Sequence, residues 1–273
     1  MTELVLMSGG TDSVMLLYRL ATKDPRFNYP DASGDIDLLA VNCGQTKTAV
    51  YRDFIGMDHA VAKVRVAIGQ SEGGTRGKIT DISPQLKSSF NFSETHSVFR
   101  QAPAWLFAAF ELVRCGRHKR VHIGYLRDDG IASEIHNLRA IWDLICKTFI
   151  QSPHPPQLTF CLFDTFITKV DVLEWYEKSA ERMSLYNTTW SCETPMGGRK
   201  STCTPCGACG SCASHRAALF KFKIRHGREF GFSAGTALIK PQPIYPDTTH
   251  PGQRLHWEMV TPGYMHVPRR VNT

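Results

Sequence analysis

The sequence predicts an α/β protein, a doubly wound and mostly parallel sheet followed by a C-terminal metal-binding module. Three observations carry this: short apolar runs alternate with helical periodicity, a glycine-rich turn stands at the first strand-to-helix junction, and the texture changes beyond Tyr186. Leu4–Met7, Leu38–Val41, Val64–Ile68, Val121–Tyr125 and Leu158–Phe163 are apolar or β-branched runs of the kind a parallel sheet buries on both faces. Between them, helical patterns span Asp12–Ala21, Thr48–Val61, Pro103–Cys115, Ser133–Ile150 and Lys169–Met183. Such a βαβ rhythm implies right-handed crossovers and places ligands at the carboxyl ends of the strands. Residues 69–97 break the rhythm with Gly73, Gly74, Gly77 and Pro84, which predicts a lid or long loop. Beyond Tyr186, Cys, Gly, Pro and His dominate, apart from a helix predicted over Ala213–Ile224. The expected organisation is a nucleotide-binding α/β domain over 1–185, a cysteine module with a helix over 186–230, and an irregular tail over 231–273.

Ser8-Gly9-Gly10-Thr11-Asp12-Ser13 follows Leu4–Met7 and precedes Val14-Met15-Leu16-Leu17. Two glycines let backbone N–H groups point at an anion, and the positive end of the following helix faces the same spot. Ser8, Thr11 and Ser13 add hydroxyl donors, and Asp12 either caps the helix or helps hold Mg²⁺ against a polyphosphate. The alternative is a strand-to-helix turn with a good N-cap, which would suffice for a lone Gly-Gly; the full SGGxDS string at the first βα junction makes the reading a phosphate cradle. No GxxxxGK[ST] string occurs in the chain.

The chain has 273 residues and is 42% hydrophobic, enough for one large α/β domain with an appendage. No apolar run approaches the roughly 20 residues of a membrane span, and no leader pattern is evident, so a cytoplasmic protein is expected. Its 32 basic and 25 acidic residues give a net charge of +7, dispersed along the sequence. That balance suits anionic partners such as ATP without requiring nucleic acid.

Nine cysteines without an export signal argue for thiols, metal ligands or catalysts rather than a disulfide framework. Cys206, Cys209 and Cys212 stand at CxxCxxC spacing in a glycine-rich stretch, with Cys192 upstream as a fourth sulfur. Tetrahedral Zn²⁺ is the expected occupant; an iron–sulfur cluster and a redox pair are the competing readings. Cys203 offers an alternative fourth ligand. Cys43, Cys115, Cys146 and Cys161 read as small buried residues in strands and helices.

The SGGxDS string resembles the PP-loop of the ATP-pyrophosphatase superfamily, and the order and spacing of motifs along roughly residues 1–220 resemble the 7-cyano-7-deazaguanine synthases of queuosine biosynthesis. The residues that carry the likeness are Ser8–Ser13, Gly44-Gln45 after the second strand, Thr189-Trp190-Ser191-Cys192, Cys206-Gly207-x-Cys209-x-x-Cys212 and the helix bearing Arg216. Looser similarity covers Val98-Phe99-Arg100-Gln101, His122-Ile123-Gly124-Tyr125 with Asp128-Asp129, and Phe163–Lys169. Where the family has a G-Y-P-D-C-R type string, this sequence has Gly130-Ile131-Ala132-Ser133-Glu134-Ile135, so ATP chemistry is better supported than the identity of the acid.

The resemblance implies an adenine nucleotide alpha hydrolase-like, Rossmann-like fold and an ATP-dependent C–N ligase. Such an enzyme adenylates 7-carboxy-7-deazaguanine, converts it with ammonia to an amide, and dehydrates the amide to the nitrile. ATP and Mg²⁺ would be held by Ser8, Gly9, Gly10, Thr11, Asp12, Ser13, Gln45 and Gly124, with Asp12, Ser13, Arg100 and Lys169 acting on the phosphates. Zn²⁺ would be held by Cys192, Cys206, Cys209 and Cys212, and a homodimer is implied. The alternatives are an ATP-dependent tRNA thiolation enzyme and a non-catalytic zinc protein that binds nucleic acid.

Overall fold

The computed structural model describes residues 2–27, 35–41, 60–65, 78–82, 98–150, 152–192 and 205–231. These form a five-stranded parallel sheet with helices on both faces. The strands are β1 (Thr2–Leu6), β2 (Ile36–Leu39), β3 (Ile79–Asp81), β4 (His118–His122) and β5 (Gln157–Thr159), in the order β3-β2-β1-β4-β5. Every pairing is parallel. The helices are α1 (Thr11–Ala21), α2 (Val98–Val113), α3 (Ile135–Phe149), α4 (Cys161–Asp164), α5 (Lys169–Glu177), α6 (Ala180–Tyr186) and α7 (Gly210–His226).

Strand alternation divides the core. Val5 and Met7 on one face pack with α1, α5, α6 and α7, while Leu4 and Leu6 on the other pack with α2 and α3. Each leucine so buried contributes about 1.5–3 kcal/mol relative to exposure. Because β1 has β2 on one side and β4 on the other, the chain reverses direction across the sheet between β1 and β4. Open α/β sheets bind ligands at that switch point.

Several sequence expectations shift. Residues 64 and 65 are helical within the described stretch 60–65 rather than opening a strand, with Ala60, Val61 and Val64 buried at helical spacing; 66–68 lie outside the described residues. The third strand is instead Ile79–Asp81, within the stretch expected to be a loop; only Ile79 of the three is buried, so it left little periodic signal. The run from Leu158 stops being a strand at Thr159 and turns into α4. The helix expected over Lys169–Met183 is two helices, since the Ser179 hydroxyl accepts the Arg182 N–H at 3.2 Å and starts a new one. The tail from 232 onward lies outside the described residues. Among the described residues, no helix is long and apolar enough to cross a membrane.

Candidate functional site

The turn between β1 and α1 is shaped by its glycines. Gly9 has φ 75°, a left-handed conformation that side chains strain to adopt. Gly10 is the N-cap residue, extended at φ −75° and ψ 166°, and its carbonyl accepts the Val14 N–H at 3.1 Å. The N–H groups of the first helical turn have no acceptor within the helix, so they face outward with the positive dipole end. Ser13 Oγ donates to the Gly10 carbonyl at 3.1 Å and lies 3.2 Å from Ser8 Oγ, which accepts the Gly10 N–H at 3.3 Å. Both hydroxyls are therefore held against the turn, Ser13 buried within it.

Two other segments press on this loop. Gly124, just past β4, approaches so closely that a Cβ there would lie 3.3 Å from Asp12 C, Ser13 Cα and Ser13 N. On the other side the Trp190 N–H donates to the Gly9 carbonyl at 2.9 Å, and a Cβ on Gly10 would lie 3.2 Å from Ser191 Oγ. Tyr176 of α5 donates its buried hydroxyl to the Thr11 carbonyl at 2.7 Å, fixing the start of α1 from below.

Charge gathers around the first residue of α5. Thr168 and Asp171 form a reciprocal capping box that starts the helix at Lys169, whose N–H donates to Asp128 Oδ1 at 3.0 Å. Lys169 Nζ donates to Asp12 Oδ2, while Asp12 Oδ1 accepts the Thr11 hydroxyl at 2.9 Å. Burial would push the lysine pKa down, but Asp12, Asp129 and Asp128 outweigh it and hold the pKa above the ordinary value. Burial and then the negative charge of Asp12 push Asp129 up to about 6, against the pull of Lys169. Asp129 Oδ2 also accepts the Leu126 N–H at 2.7 Å, which fixes the carboxylate in the loop after β4. The ammonium ion is thus held charged among carboxylates beside an anion cradle.

A four-sulfur cluster lies one residue away in sequence from the segment that touches the loop. The Sγ atoms of Cys192, Cys206, Cys209 and Cys212 all lie within 4.8 Å of one another. Gly207 at φ 71° allows the tight turn in which the Ala208 and Cys209 N–H groups both donate to Cys206 Sγ at 3.3 Å. The Cys206 N–H donates to Cys192 Sγ at 3.2 Å, joining the two cysteine segments. Such donors stabilise thiolates, and the donor set fits a metal. A tetrahedral ion with bonds near 2.3 Å sets its sulfurs about 3.8 Å apart, close to the 4.0 Å between Cys206 and Cys212. In a four-iron cube each cysteine holds a different iron, which spreads the sulfurs wider. Behind the cluster, His215 Nε2 lies 2.8 Å from the Tyr186 hydroxyl, and burial, aided by Lys169, pushes its pKa down to about 3. It is a neutral packing histidine.

Of the residues singled out in the sequence, Ser8, Gly9, Gly10, Thr11, Asp12, Ser13, Gly124 and Lys169 converge on one site, and the four cysteines on another. Gln45 and Cys203 lie outside the described residues; Arg100 sits in the first turn of α2, with its side chain outside them. Sequence reasoning noticed Asp129 but gave it no role, and it passed over Tyr176 and the Trp190 backbone. An acid placed shortly after a strand-ending glycine was the available signal for Asp129. No family model matches the chain, and no curated protein matches it. Among solved structures, it is similar to the U34-tRNA thiolase NcsA from Methanococcus maripaludis with its [4Fe-4S] cluster, at 15% identity and a TM-score of 0.44, covering 83% of this chain and 66% of that one. The chain thus spans just under two thirds of that protein's length.

Proposed function

We propose that this protein is an ATP-dependent enzyme of the PP-loop kind that activates a substrate oxygen by adenylation. In the specific reading the substrate is 7-carboxy-7-deazaguanine and the product, with ammonia, is 7-cyano-7-deazaguanine. The observation that supports this best is the convergence of Lys169, Asp12 and Gly124 on the first turn of α1 at the sheet's switch point.

The residues serve a reaction that needs positioning and charge neutralisation more than a nucleophilic side chain. Amides of the Gly9–Ser13 turn bind the phosphates, and Ser8 and Ser13 rotate their hydroxyls from each other toward phosphate oxygens. Lys169 offsets negative charge as a carboxylate oxygen attacks the α-phosphorus and the bond to the β-phosphate breaks, releasing pyrophosphate. Ammonia then attacks the acyl carbon, loses a proton, and AMP departs to leave the amide. A second ATP activates the amide oxygen, and loss of AMP and the nitrogen-bound protons leaves the nitrile. Mg²⁺ entering with the nucleotide would supply further charge neutralisation, and Asp12 and Asp129, whose charges repel each other beside Lys169, would hold it.

Cys192, Cys206, Cys209 and Cys212 would hold one Zn²⁺, whose role is to clamp the segment that touches the loop. The sulfur spacing favours this over the rival reading of ATP-dependent tRNA thiolation through an iron–sulfur cluster. Nucleic acid is not required by the proposal, and a homodimer is compatible with it. The test mixes protein, MgATP, 7-carboxy-7-deazaguanine and ammonium, and measures pyrophosphate, AMP and nitrile. Nitrile with one zinc per chain supports the proposal; iron with labile sulfide and no AMP from any carboxylate favours thiolation.

A further inference from the structure

We propose that Phe166, carried on Arg127, is a stacking face for a planar, purine-like ring bound beside the phosphate loop. The proposal rests on the reading of that loop as an ATP site. Phe166 has φ 59°, a left-handed conformation that is strained for a bulky aromatic residue and that Gly or Asn would enter freely. The turn is held from several sides: the Phe166 N–H donates to the Phe163 carbonyl at 3.1 Å, the Ile167 N–H to Leu162 at 2.9 Å, and the Arg127 N–H to Ile167 at 3.0 Å. Its result is an outward ring. Phe166 is 70% exposed, while its neighbours Phe163 and Ile167 are 6% and 8% exposed. Strain retained where it gains no core packing points to use at a site.

The ring has a prepared backing. The Arg127 guanidinium carbon lies 4.2 Å from the centre of the Phe166 ring and 3.8 Å from that of Phe163, and Arg127 Nε donates to the Phe163 carbonyl at 2.9 Å. A guanidinium plane fixed against an open aromatic ring is a stacking surface for bases and related heterocycles. Its position fits the same ligand set. Phe166 precedes Lys169 by three residues, so their Cα atoms are within about 10 Å, and Arg127 leads directly into Asp128 and Asp129, which face that lysine. Two rings would be present at such a site, the adenine of ATP and the ring of the acid.

The test compares wild type with Phe166→Gly and Phe166→Trp. Calorimetry is run with MgATP, with magnesium tripolyphosphate, which lacks a base, and with 7-carboxy-7-deazaguanine added to the MgATP complex. Phe166→Gly is expected to weaken one ring-bearing ligand by about 5- to 150-fold, to leave tripolyphosphate unchanged, and to keep or raise the thermal midpoint as glycine relieves the strain. Phe166→Trp restores affinity. Loss with MgATP identifies adenine; loss with the acid alone identifies the substrate ring. Unchanged affinity for both, a drop in tripolyphosphate binding as well, a fallen midpoint, or a drop confined to a single-stranded RNA oligonucleotide overturns the proposal. Failure of wild type to bind either triphosphate sinks the ATP reading beneath it instead, a separate result.

Discussion

Gly124→Ala tests the close approach on which the site depends. The added methyl meets three backbone atoms of Asp12 and Ser13, each at 3.3 Å, a few tenths of an ångström inside ordinary contact. Backbone cannot rotate away as a side-chain tip can, so either the loop after β4 or the first turn of α1 must shift. Overpacking of this kind costs about 1–3 kcal/mol, and we place this single methyl near the lower end, because the three contacts fall only slightly short of comfortable distance. A first-turn N–H pulled out of line with a phosphate oxygen forfeits about 0.5–1.5 kcal/mol, so MgATP binding should weaken by about 2- to 12-fold. The assay is urea denaturation alongside calorimetric titration with MgATP. Gly130→Ala, where a Cβ meets nothing within 4 Å, is the control and should be neutral in both. A Gly124→Ala protein with wild-type stability and MgATP affinity would refute the packing argument.

Lys169→Met removes the cation shared by Asp12 and Asp129, so pyrophosphate release should fall by about 100- to 1,000-fold; a loss under threefold would remove Lys169 from the phosphate site. Stripping metal from the four cysteines with a chelator should lower both the thermal midpoint and MgATP affinity, because the Trp190-to-Gly9 hydrogen bond is made by the segment that carries Cys192; full affinity in metal-free protein would show that the cluster and loop are independent. His122 is fully buried between Cys161 and Glu3; burial lowers its pKa, but those partners prevail and raise it to about 9. With an unfolded value near 6.5, the stability it contributes is complete below pH 6.5 and disappears as pH rises through 9, at most about 3 kcal/mol. Urea midpoints measured from pH 6 to 9.5 should decline over that window and flatten in Glu3→Gln; a rise, or an unchanged slope in the variant, would contradict the pairing.

The parts of this architecture legible in the sequence are those written locally. Gly9-Gly10 between an apolar run and a helix states its own geometry, because positive φ and helix capping are properties of a few adjacent residues. The CxxCxxC spacing does the same for three sulfurs. What escaped was tertiary. Asp129 acquires its meaning only when Lys169, distant in sequence, starts a helix beside it. The contact between Trp190 and Gly9 is made by backbone atoms, which carry no residue signature. Val64 was apolar enough for a strand, but its partners Ala60 and Val61 placed it on a helix face. Ile79–Asp81 is a strand through its pairing with β2 more than through its own residues.

The proposed chemistry requires the first turn of α1 to grip a triphosphate. Titrating MgATP into metal-replete protein by calorimetry addresses it directly, with Lys169→Met and Gly130→Ala measured in parallel. One site per chain, weakened in the lysine variant and intact in the glycine control, is the expected result. No heat of binding from wild-type protein, or binding that ignores Lys169, would contradict the account.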